Sequence, residues 1–359
     1  MKRLVLVAMM MWAWAAGAAV AAETGASGAT GGAPAGGEHA GCGCADTAVN
    51  PGSIEPIYHT HAAGRWMVSY QFMRTGMDGL RDGTSDVPVD AVSPMGSEPY
   101  GYMMTPTKMT MDMQMLMLMY GATDRLTLMA MANYQKNNMD MLMNMGMGNK
   151  PQDPMRTEGV GDVELRALWL AAHGLVAGVG VSLPSGSIDE TTTMMRMDFR
   201  APYDMQLGSG SVDLRPSLTW AGASGDGLWG WGGQAVYTWR TADNKHDYRL
   251  GDAFRAAGWL DRALGPVRVS ARLAYLTAGR IRGEDAGIAK ILDPEMGAPT
   301  PDADPGNYGG QRLDGTLGAS VGFGAWRFGV EGGVPLYQNL NGLQLKTEWT
   351  LAAGVQVTL

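Results

Sequence analysis

The chain has no uninterrupted apolar run long enough for a membrane-spanning helix. Its most apolar segment runs from Leu4 to Trp14, which is short of the roughly 20 residues that a spanning helix needs. Cysteine is almost absent, because only Cys42 and Cys44 occur in 359 residues. Neither has the apolar residues directly upstream that a lipoprotein site requires. The sequence therefore excludes a helical membrane protein and does not favour lipidation.

Basic residues are also scarce relative to acidic ones. The chain has 27 Lys and Arg against 35 Asp and Glu, for a net charge of −8. Proteins that bind nucleic acid carry an excess of basic charge on one face, so nucleic acid is not expected as a partner. Glycine is abundant, at 52 residues, and the mean hydropathy is −0.10. This composition suits strands that alternate apolar and polar side chains.

The N-terminus has the pattern of a secretory signal. Lys2 and Arg3 form a charged start, Leu4 to Trp14 an apolar core, and Ala19-Val20-Ala21 an A-x-A cleavage site. We predict a signal peptide over 1–22, and hence export across the inner membrane. Residues 23–60 are rich in Gly, Ala, Ser and Pro, which predicts a disordered periplasmic tail. The remaining domain spans 61–359.

From Arg65 onward, segments with period-2 alternation recur, separated in turn by short turns and long polar loops. This asymmetry is typical of outer-membrane barrels, whose periplasmic turns are tight and whose extracellular loops are long. The fold class predicted is all-β: a transmembrane antiparallel up-and-down β-barrel of about 12 strands with a disordered N-terminal tail. The strands are expected at 65–77, 107–120, 125–137, 160–172, 174–184, 209–221, 228–240, 252–263, 266–280, 309–322 and 325–336, with a last strand ending at Leu359.

The last strand alternates through Leu345, Thr347, Trp349 and Leu351 to the final residue. A strand that reaches the terminus can pair with the first strand and remove the free edges that lipid cannot satisfy. Every tryptophan outside the signal segment falls in or beside a predicted strand, as interfacial aromatic girdles require. A soluble β-sandwich would share the alternation but not the signal, loop asymmetry and terminal strand together. We therefore predict a bacterial outer-membrane location, with lipid and lipopolysaccharide as partners.

Four segments resemble a known family. They are Tyr120-Gly121-Ala122-Thr123-Asp124-Arg125-Leu126, Gly159-Val160-Gly161-Asp162-Val163-Glu164-Leu165, Ser182-Leu183-Pro184-Ser185-Gly186-Ser187 and Leu207-Gly208-Ser209-Gly210-Ser211-Val212-Asp213-Leu214. They resemble turn and strand-end motifs of the outer-membrane proteins grouped as the phenol-degradation meta-pathway family, which are described as transporters. The resemblance covers roughly 65–359. It implies a barrel and a transport role, and it supplies no binding residues.

Methionine is the unusual residue of this chain. Of its 29 methionines, 15 lie between Met103 and Met147. Thioethers are soft ligands that suit Cu(I), and residues at i and i+2 of a strand are about 7 Å apart. Copper is therefore a candidate ligand, or the methionines are simply apolar filler; the choice depends on whether their face points to the lumen or to lipid. The candidate strand ligands are Met109, Met111, Met113, Met115, Met117 and Met119 on one face, with Met129 and Met131 on the next strand.

A second group of metal-compatible residues lies near the N-terminus: His39, Cys42, Cys44, His59 and His61. Their spacing matches no zinc motif. Copper is one hypothesis for this group. The alternatives are a solvated segment leading to the first strand for His59 and His61, and a local disulfide or oxidised thiols for Cys42 and Cys44.

Charged residues alternate with the apolar ones and are expected to face the lumen. Because both signs are present, they form either salt-bridge networks that fill a narrow barrel or the lining of a water-filled pore. The residues assigned to the lumen are Asp162, Glu164, Arg166, Asp213, Arg215, Arg268, Arg272, Arg312, Asp314, Arg327 and Glu331.

The function predicted is a channel or transporter for small molecules, either hydrophobic or aromatic solutes or soft metal ions such as copper. The alternative is a non-conducting structural or metal-sensing barrel. An enzyme is not expected, because a barrel hydrolase needs a histidine beside a serine or aspartate. His173 is placed in a short turn and His246 in an outer loop. The sequence specifies neither the solute nor the oligomeric state.

Overall fold

The computed structural model describes residues 57–359, apart from positions 94, 95, 97, 195, 196, 294 and 296. The predicted signal peptide and residues 23–56 of the predicted tail lie outside this part of the chain. The strands are β1 (Trp66–Gly83), β2 (Ser85–Val87), β3 (Met104–Thr123), β4 (Leu126–Met143), β5 (Lys150–Pro151), β6 (Met155–Val160), β7 (Val163–Ala172), β8 (Leu175–Leu183), β9 (Thr191–Met194), β10 (Met197–Arg200), β11 (Asp213–Ala223), β12 (Trp229–Arg240), β13 (Tyr248–Arg249), β14 (Ala253–Leu264), β15 (Val267–Ala278), β16 (Arg282–Gly283), β17 (Gly310–Phe323) and β18 (Trp326–Thr358).

Helical segments are short and lie in the loops. They are α1 (Val89–Val92), α2 (Ala286–Ala289) and the 3-10 turns Tyr203–Met205, Lys290–Leu292 and Pro301–Ala303. Within the described part of the chain, no helix is both long enough and apolar enough to cross a membrane.

Eleven strands form one closed antiparallel ring. Their order is β18-β17-β15-β14-β12-β11-β8-β7-β4-β3-β1, and β18 returns to pair with β1. Met67 lies opposite Thr358 at this seam. The predicted antiparallel barrel, and its closure by the last strand against the first, are confirmed. The weakly alternating segment 252–263 is also a barrel strand, β14, paired with both β12 and β15.

The last strand, β18, crosses the barrel wall twice, and each crossing of the wall is called a pass. It pairs antiparallel with β17 from Trp326 to Leu340, and antiparallel with β1 from Leu340 to Thr358. A closed ring in which every neighbour is antiparallel must contain an even number of passes, so β18 reverses direction. Gly342, with a φ of 74°, permits the reversal, and the Gln338 side chain bonds the Thr347 N–H (3.0 Å) and C=O (2.9 Å) across it. The ring therefore has twelve passes, as the alternation predicts.

The two ends of the barrel differ. At the short-turn end, β3–β4, β7–β8, β11–β12, β14–β15 and β17–β18 are joined by tight turns; the other end, the long-loop end, has the long connections and the reversal of β18. Exposed aromatics face outward around the short-turn end: Trp66, Trp169, Trp220, Trp229 and Trp326. On β1 and β3 the outward apolar band stops at the Arg74–Asp112 ion pair (2.5 Å). The outer surface thus has the belt of a membrane barrel.

One tryptophan departs from the predicted girdle. Trp259 is only 5% exposed and faces the interior, where its ring occupies the space above Gly232. A Cβ on Gly232 would lie 2.3 Å from this ring. The alternation of β14 therefore includes one large apolar side chain on the inner face, which explains why this strand is hard to recognise from sequence.

Several strand predictions need correction, among them β1, which extends to Gly83 rather than ending at 77. β4 extends to Met143 rather than ending at 137, so Met139 and Met141 are buried on its inner face, while Met145 and Met147 stay exposed in the loop. The terminal alternation is also interrupted. The β1–β18 register shifts between Gly76 and Met77. A bulge of this kind changes which face successive side chains take, so Leu345 and Thr347 line the interior while Leu351 is exposed.

The loops at the long-loop end pack together into an apolar cap over the barrel. Asp285 begins α2 by accepting hydrogen bonds from the Gly287 (2.6 Å) and Ile288 (3.3 Å) N–H groups. Arg200, 3.0 Å from Asp285, ties this helix to β10. The cap comprises the buried residues Phe199, Ala201, Tyr203, Met205, Tyr248, Ile281, Ile288, Ile291, Ala298 and Ala303, packed on Met103, Met104, Met109, Met139, Met141 and Met155.

Residues 57–63, here called the strap, cross the interior at the short-turn end. The Tyr58 N–H donates to Gln234 Oε1 on β12 (2.8 Å), and the His61 N–H donates to Thr127 Oγ1 on β4 (2.8 Å). Thr60 and His61 are each 3% exposed. Residues 57–60, assigned to the tail, thus contact the barrel interior, and His61 is buried there while His59 is half-buried.

Candidate functional site

A cavity of about 770 Å³ lies inside the barrel and is lined by side chains of the strap, the cap and the strands. Tyr58 borders it from the strap, and Asp204, Asp302 and Tyr308 border it from the loops. Its wall on β1, β3 and β4 is largely thioether: Met73, Met77, Met109, Met111, Met113, Met115 and Met131.

The methionine face of β3 points into the barrel. Met109, Met115 and Met119 are buried, whereas the intervening Leu116 and Leu118 are 55% and 40% exposed. Since successive side chains of a strand point to opposite faces, the whole odd-numbered set from 109 to 119 faces inward. The direction that the sequence left open is thus decided by the closure of the barrel.

Neighbouring strands extend this face into a continuous surface. Met67 lies opposite Met119, which lies opposite Met129; Met117 lies opposite Met131, and Met73 opposite Met113. Directly opposed residues of antiparallel strands have Cβ atoms about 4.5–5.5 Å apart. We call this surface the methionine wall: Met67, Met73, Met77, Met109, Met111, Met113, Met115, Met117, Met119, Met129, Met131, Met139 and Met155.

Five members of the wall are not among the predicted ligands: Met67, Met73, Met77, Met139 and Met155. The three on β1 are spaced by even intervals, so they share a face, but only the pairing of β1 with β3 brings them beside the β3 methionines. Their even spacing could be seen in the sequence, but their position beside the β3 methionines could not.

Thioethers are the main metal-compatible donors at this site. Among residues 57–359 as described, no three His, Cys, Asp or Glu side chains group as a metal site. The rings of His59 and His61 have centroids 4.7 Å apart on the strap. His39, Cys42 and Cys44 lie outside the described residues, so their metal binding stays a prediction.

Ion pairs line the rest of the interior. Arg166 contacts Glu164 (2.5 Å), which also pairs with Arg215. Arg312 contacts Asp314 (2.9 Å). Further pairs join Arg272 to Glu331 and Arg240 to Asp213. Of the residues assigned to the lumen, the cavity is bordered by Arg215, Arg272, Arg312, Asp314 and Glu331, while Glu164, Arg166 and Asp213 are buried without bordering it.

Three residues assigned to the lumen lie away from the cavity. Asp162 lies in the short break between β6 and β7, where its carboxylate accepts hydrogen bonds from the Gly186 N–H (3.0 Å) and the Ser209 N–H (2.8 Å) and so joins two loops. Arg268 shares the inner face of β15 with Arg272 and pairs with Asp261 at the short-turn end, and Arg327 lies close to both.

Two carboxylates of the loops face the cavity from above. Tyr308 Oη donates to the Asp302 carbonyl (2.6 Å) and accepts from the Asp204 N–H (3.3 Å), which holds the three residues together. Burial raises the pKa of Asp302 to about 6. Burial, and then the nearby charge of Asp302, raise the pKa of Asp204 well above its ordinary value. Sequence reasoning missed this pair, because loops have no periodicity to mark an inward side chain.

Comparisons with known proteins support the architecture. No family model and no curated protein matches the chain. Among solved structures, the COG4313 outer membrane channel from Pseudomonas putida F1 aligns over 87% of this chain and 100% of its own, at 16% identity and a TM-score of 0.54. A Pseudomonas aeruginosa FadL homologue aligns over 82% of this chain and 90% of its own, at 10% identity and a TM-score of 0.41. The first likeness shows a shared barrel fold; the resemblance to the phenol-degradation meta-pathway family stays a prediction.

Proposed function

We propose that the protein is an outer-membrane channel for small solutes and that soft metal ions, Cu(I) foremost, are its solute. The observation that carries the proposal is the methionine wall along an enclosed cavity inside a closed barrel. The outward aromatic belt and the predicted signal peptide support the outer-membrane location. The structural neighbour in Pseudomonas putida F1, itself an outer membrane channel, has the same kind of barrel.

The wall has the chemistry that passage of a soft cation requires. Thioether sulfur is uncharged and polarizable, and it binds Cu(I) in preference to hard cations. Successive inward methionines such as Met111, Met113 and Met115 are about 7 Å apart along β3. Conduction needs several sites that each bind weakly enough to release the ion. A ladder of similar sulfur sites meets that condition.

The rest of the interior does not repel a cation strongly, because the arginines there are paired. Arg215 and Arg166 share Glu164, Arg272 pairs with Glu331, and Arg312 pairs with Asp314. Asp204 and Asp302 add two carboxyls where the cavity meets the loops. The strap crosses one end and the cap packs at the other, so we expect both to restrict passage of the solute.

Flux measurements test this proposal. Purified protein is placed in liposomes that contain a silver- or Cu(I)-sensitive dye, and uptake is compared with that of a small neutral sugar. Met111→Leu/Met113→Leu/Met115→Leu should pass the sugar as the parent does and pass Ag(I) several-fold more slowly. Met145→Leu/Met147→Leu, in an exposed loop, is the matched control. Equal Ag(I) uptake by the two variants would contradict the metal solute, and no uptake of any solute would favour a non-conducting barrel.

A second candidate solute is a small aromatic anion. Arg255 on β14 and Arg312 on β17 flank Leu276 of β15 in one row of the sheet, and all three border the cavity opposite the thioethers. An apolar ring could contact the methionines while its carboxylate contacts these guanidinium groups. Benzoate uptake that exceeds Ag(I) uptake and falls in Arg255→Gln would favour this solute over copper.

A further inference from the structure

Three methionines meet in one row at the short-turn end of the wall. Met67, Met119 and Met129 come from β1, β3 and β4 and lie opposite one another in register. They are 0%, 1% and 3% exposed, so their sulfur atoms are shielded from bulk water. Three adjacent strands span only about 10 Å, and the flexible methionine side chain can bring its sulfur toward a common point.

The strap brings His61 beside this row. Its N–H donates to Thr127 Oγ1 (2.8 Å), and its carbonyl oxygen lies 2.8 Å from where a Cβ of Gly121 would be. Gly121 and Thr127 are paired in register, and each is two residues from a methionine of the row on the same inner face. His61 thus lies one step, about 7 Å along the strands, from Met119 and Met129.

We propose that Met67, Met119, Met129 and His61 form a binding site for one Cu(I) or Ag(I) ion where the strap meets the wall. Three thioethers and a neutral imidazole are soft or borderline ligands without charge, a set that favours monovalent soft cations over Zn²⁺ or Mg²⁺. This inference rests on the proposed function for its role, because it places a terminal site at the periplasmic end of the conduction path. The next row, Met117 and Met131, leads from it to the cavity.

The site also links the ion to the strap. Three ligands belong to the barrel wall and the fourth to the segment that covers the periplasmic end. Tyr58, three residues before His61, packs in the same apolar cluster as the three methionines. Occupancy therefore holds the strap against β4, and loss of the ion weakens that hold.

The experiment measures binding in the full-length protein without transport. All variants are made in a His39→Ala/Cys42→Ser/Cys44→Ser background, so that the N-terminal thiols do not bind the probe. Ag(I) and Cu(I) are titrated against a competing chelator. The background protein should bind one ion tightly. The affinity for that ion should fall on the order of 100-fold in Met67→Leu/Met119→Leu/Met129→Leu and about tenfold in His61→Gln.

Leucine keeps the apolar volume and removes only the sulfur, so the barrel should stay folded. Heat-modifiable migration on a gel checks this. Met103→Leu/Met104→Leu/Met205→Leu, buried at the opposite end, is the matched control and should retain tight binding of the ion. The site is overturned if the background protein binds no ion tightly. It is also overturned if Met67→Leu/Met119→Leu/Met129→Leu binds the ion as tightly as the control variant does. Loss of tight binding in Met67→Leu/Met119→Leu/Met129→Leu supports the site even if Met111→Leu/Met113→Leu/Met115→Leu does not slow Ag(I) flux. The two experiments therefore distinguish failure of the site from failure of the proposed metal solute.

Discussion

The guanidinium carbon of Arg166 lies 3.9 Å from the centre of the Tyr58 ring. Arg166 belongs to β7 and is held by Glu164 at 2.5 Å, while Tyr58 belongs to the strap. A desolvated cation–π contact of this kind contributes about 2 kcal/mol. Arg166 also lies opposite Met129 in register, so the residue that anchors the strap is a neighbour of the buried methionine row.

Loss of this contact should open the short-turn end. We expect Tyr58→Ala to increase the frequency or size of conductance steps in planar bilayers, because the strap loses both its ring contact and its apolar packing on the wall. Tyr237→Ala, which removes an exposed outward ring, is the control and should behave as the parent. Identical traces for the Tyr58 variant would show that the strap does not restrict conduction.

The buried charge network should dominate the stability of this part of the barrel. Glu164→Gln leaves the guanidinium groups of Arg166 and Arg215 without their shared carboxylate, and an uncompensated buried charge costs about 3–5 kcal/mol. Asp112→Asn breaks the exposed pair with Arg74 and should cost under about 1 kcal/mol. Urea unfolding in detergent measures the stability of both variants. Equal unfolding midpoints for Glu164→Gln and Asp112→Asn would contradict the dominant role of the buried charge network.

The stability of the cap should depend on pH through Asp302. Its pKa is raised by burial from 3.8 to about 6, so the folded cap binds the proton more tightly than the unfolded loop does. Stability is then highest below about pH 4 and falls through Asp302 as pH rises through the window from about 4 to 6. Asp204, whose pKa is also raised, adds to this fall. The full difference for Asp302 corresponds to about 3 kcal/mol.

Hydrogen exchange of segment 281–308, corrected for intrinsic rates, measures this dependence. Exchange should be faster at pH 7 than at pH 4.5, and Asp302→Asn should flatten most of the change, with Asp204 accounting for the rest. Asp153→Asn, at an exposed loop carboxyl, should leave the profile of the parent. A profile that stays unchanged in Asp302→Asn would assign the pH dependence to another group.

The inward-facing ring of Trp259 should restrict substitution at the neighbouring Gly232. Gly232→Ala would place a Cβ 2.3 Å from the Trp259 ring and 2.7 Å from the Trp220 carbonyl oxygen. Overpacking of this kind costs about 1–3 kcal/mol. Gly225→Ala, in an open turn with nothing within 4 Å, is the control. Thermal unfolding should separate the two variants, and matched midpoints would show that Trp259 has room to move.

The barrel was largely predictable because its signal is local. Alternation with period 2 marks each strand within about ten residues, and loop lengths alternate because the two ends face different surroundings. These two patterns are enough to predict twelve passes and closure of the last against the first. They fail at Trp259 and near Thr347, where one inward ring and one bulge break the alternation.

The candidate site depended on contacts between distant parts of the chain. The sequence by itself determined that Met109 to Met119 share one face, since alternation within a strand requires it. Only the tertiary structure decided that this face is the inner one, that Met67 and Met129 lie beside Met119, and that His61 lies beneath them. The physical reason is that the direction of a face and the partners of a strand follow from ring closure and register, whereas the strap and the cap carboxylates lie in segments that no periodicity describes.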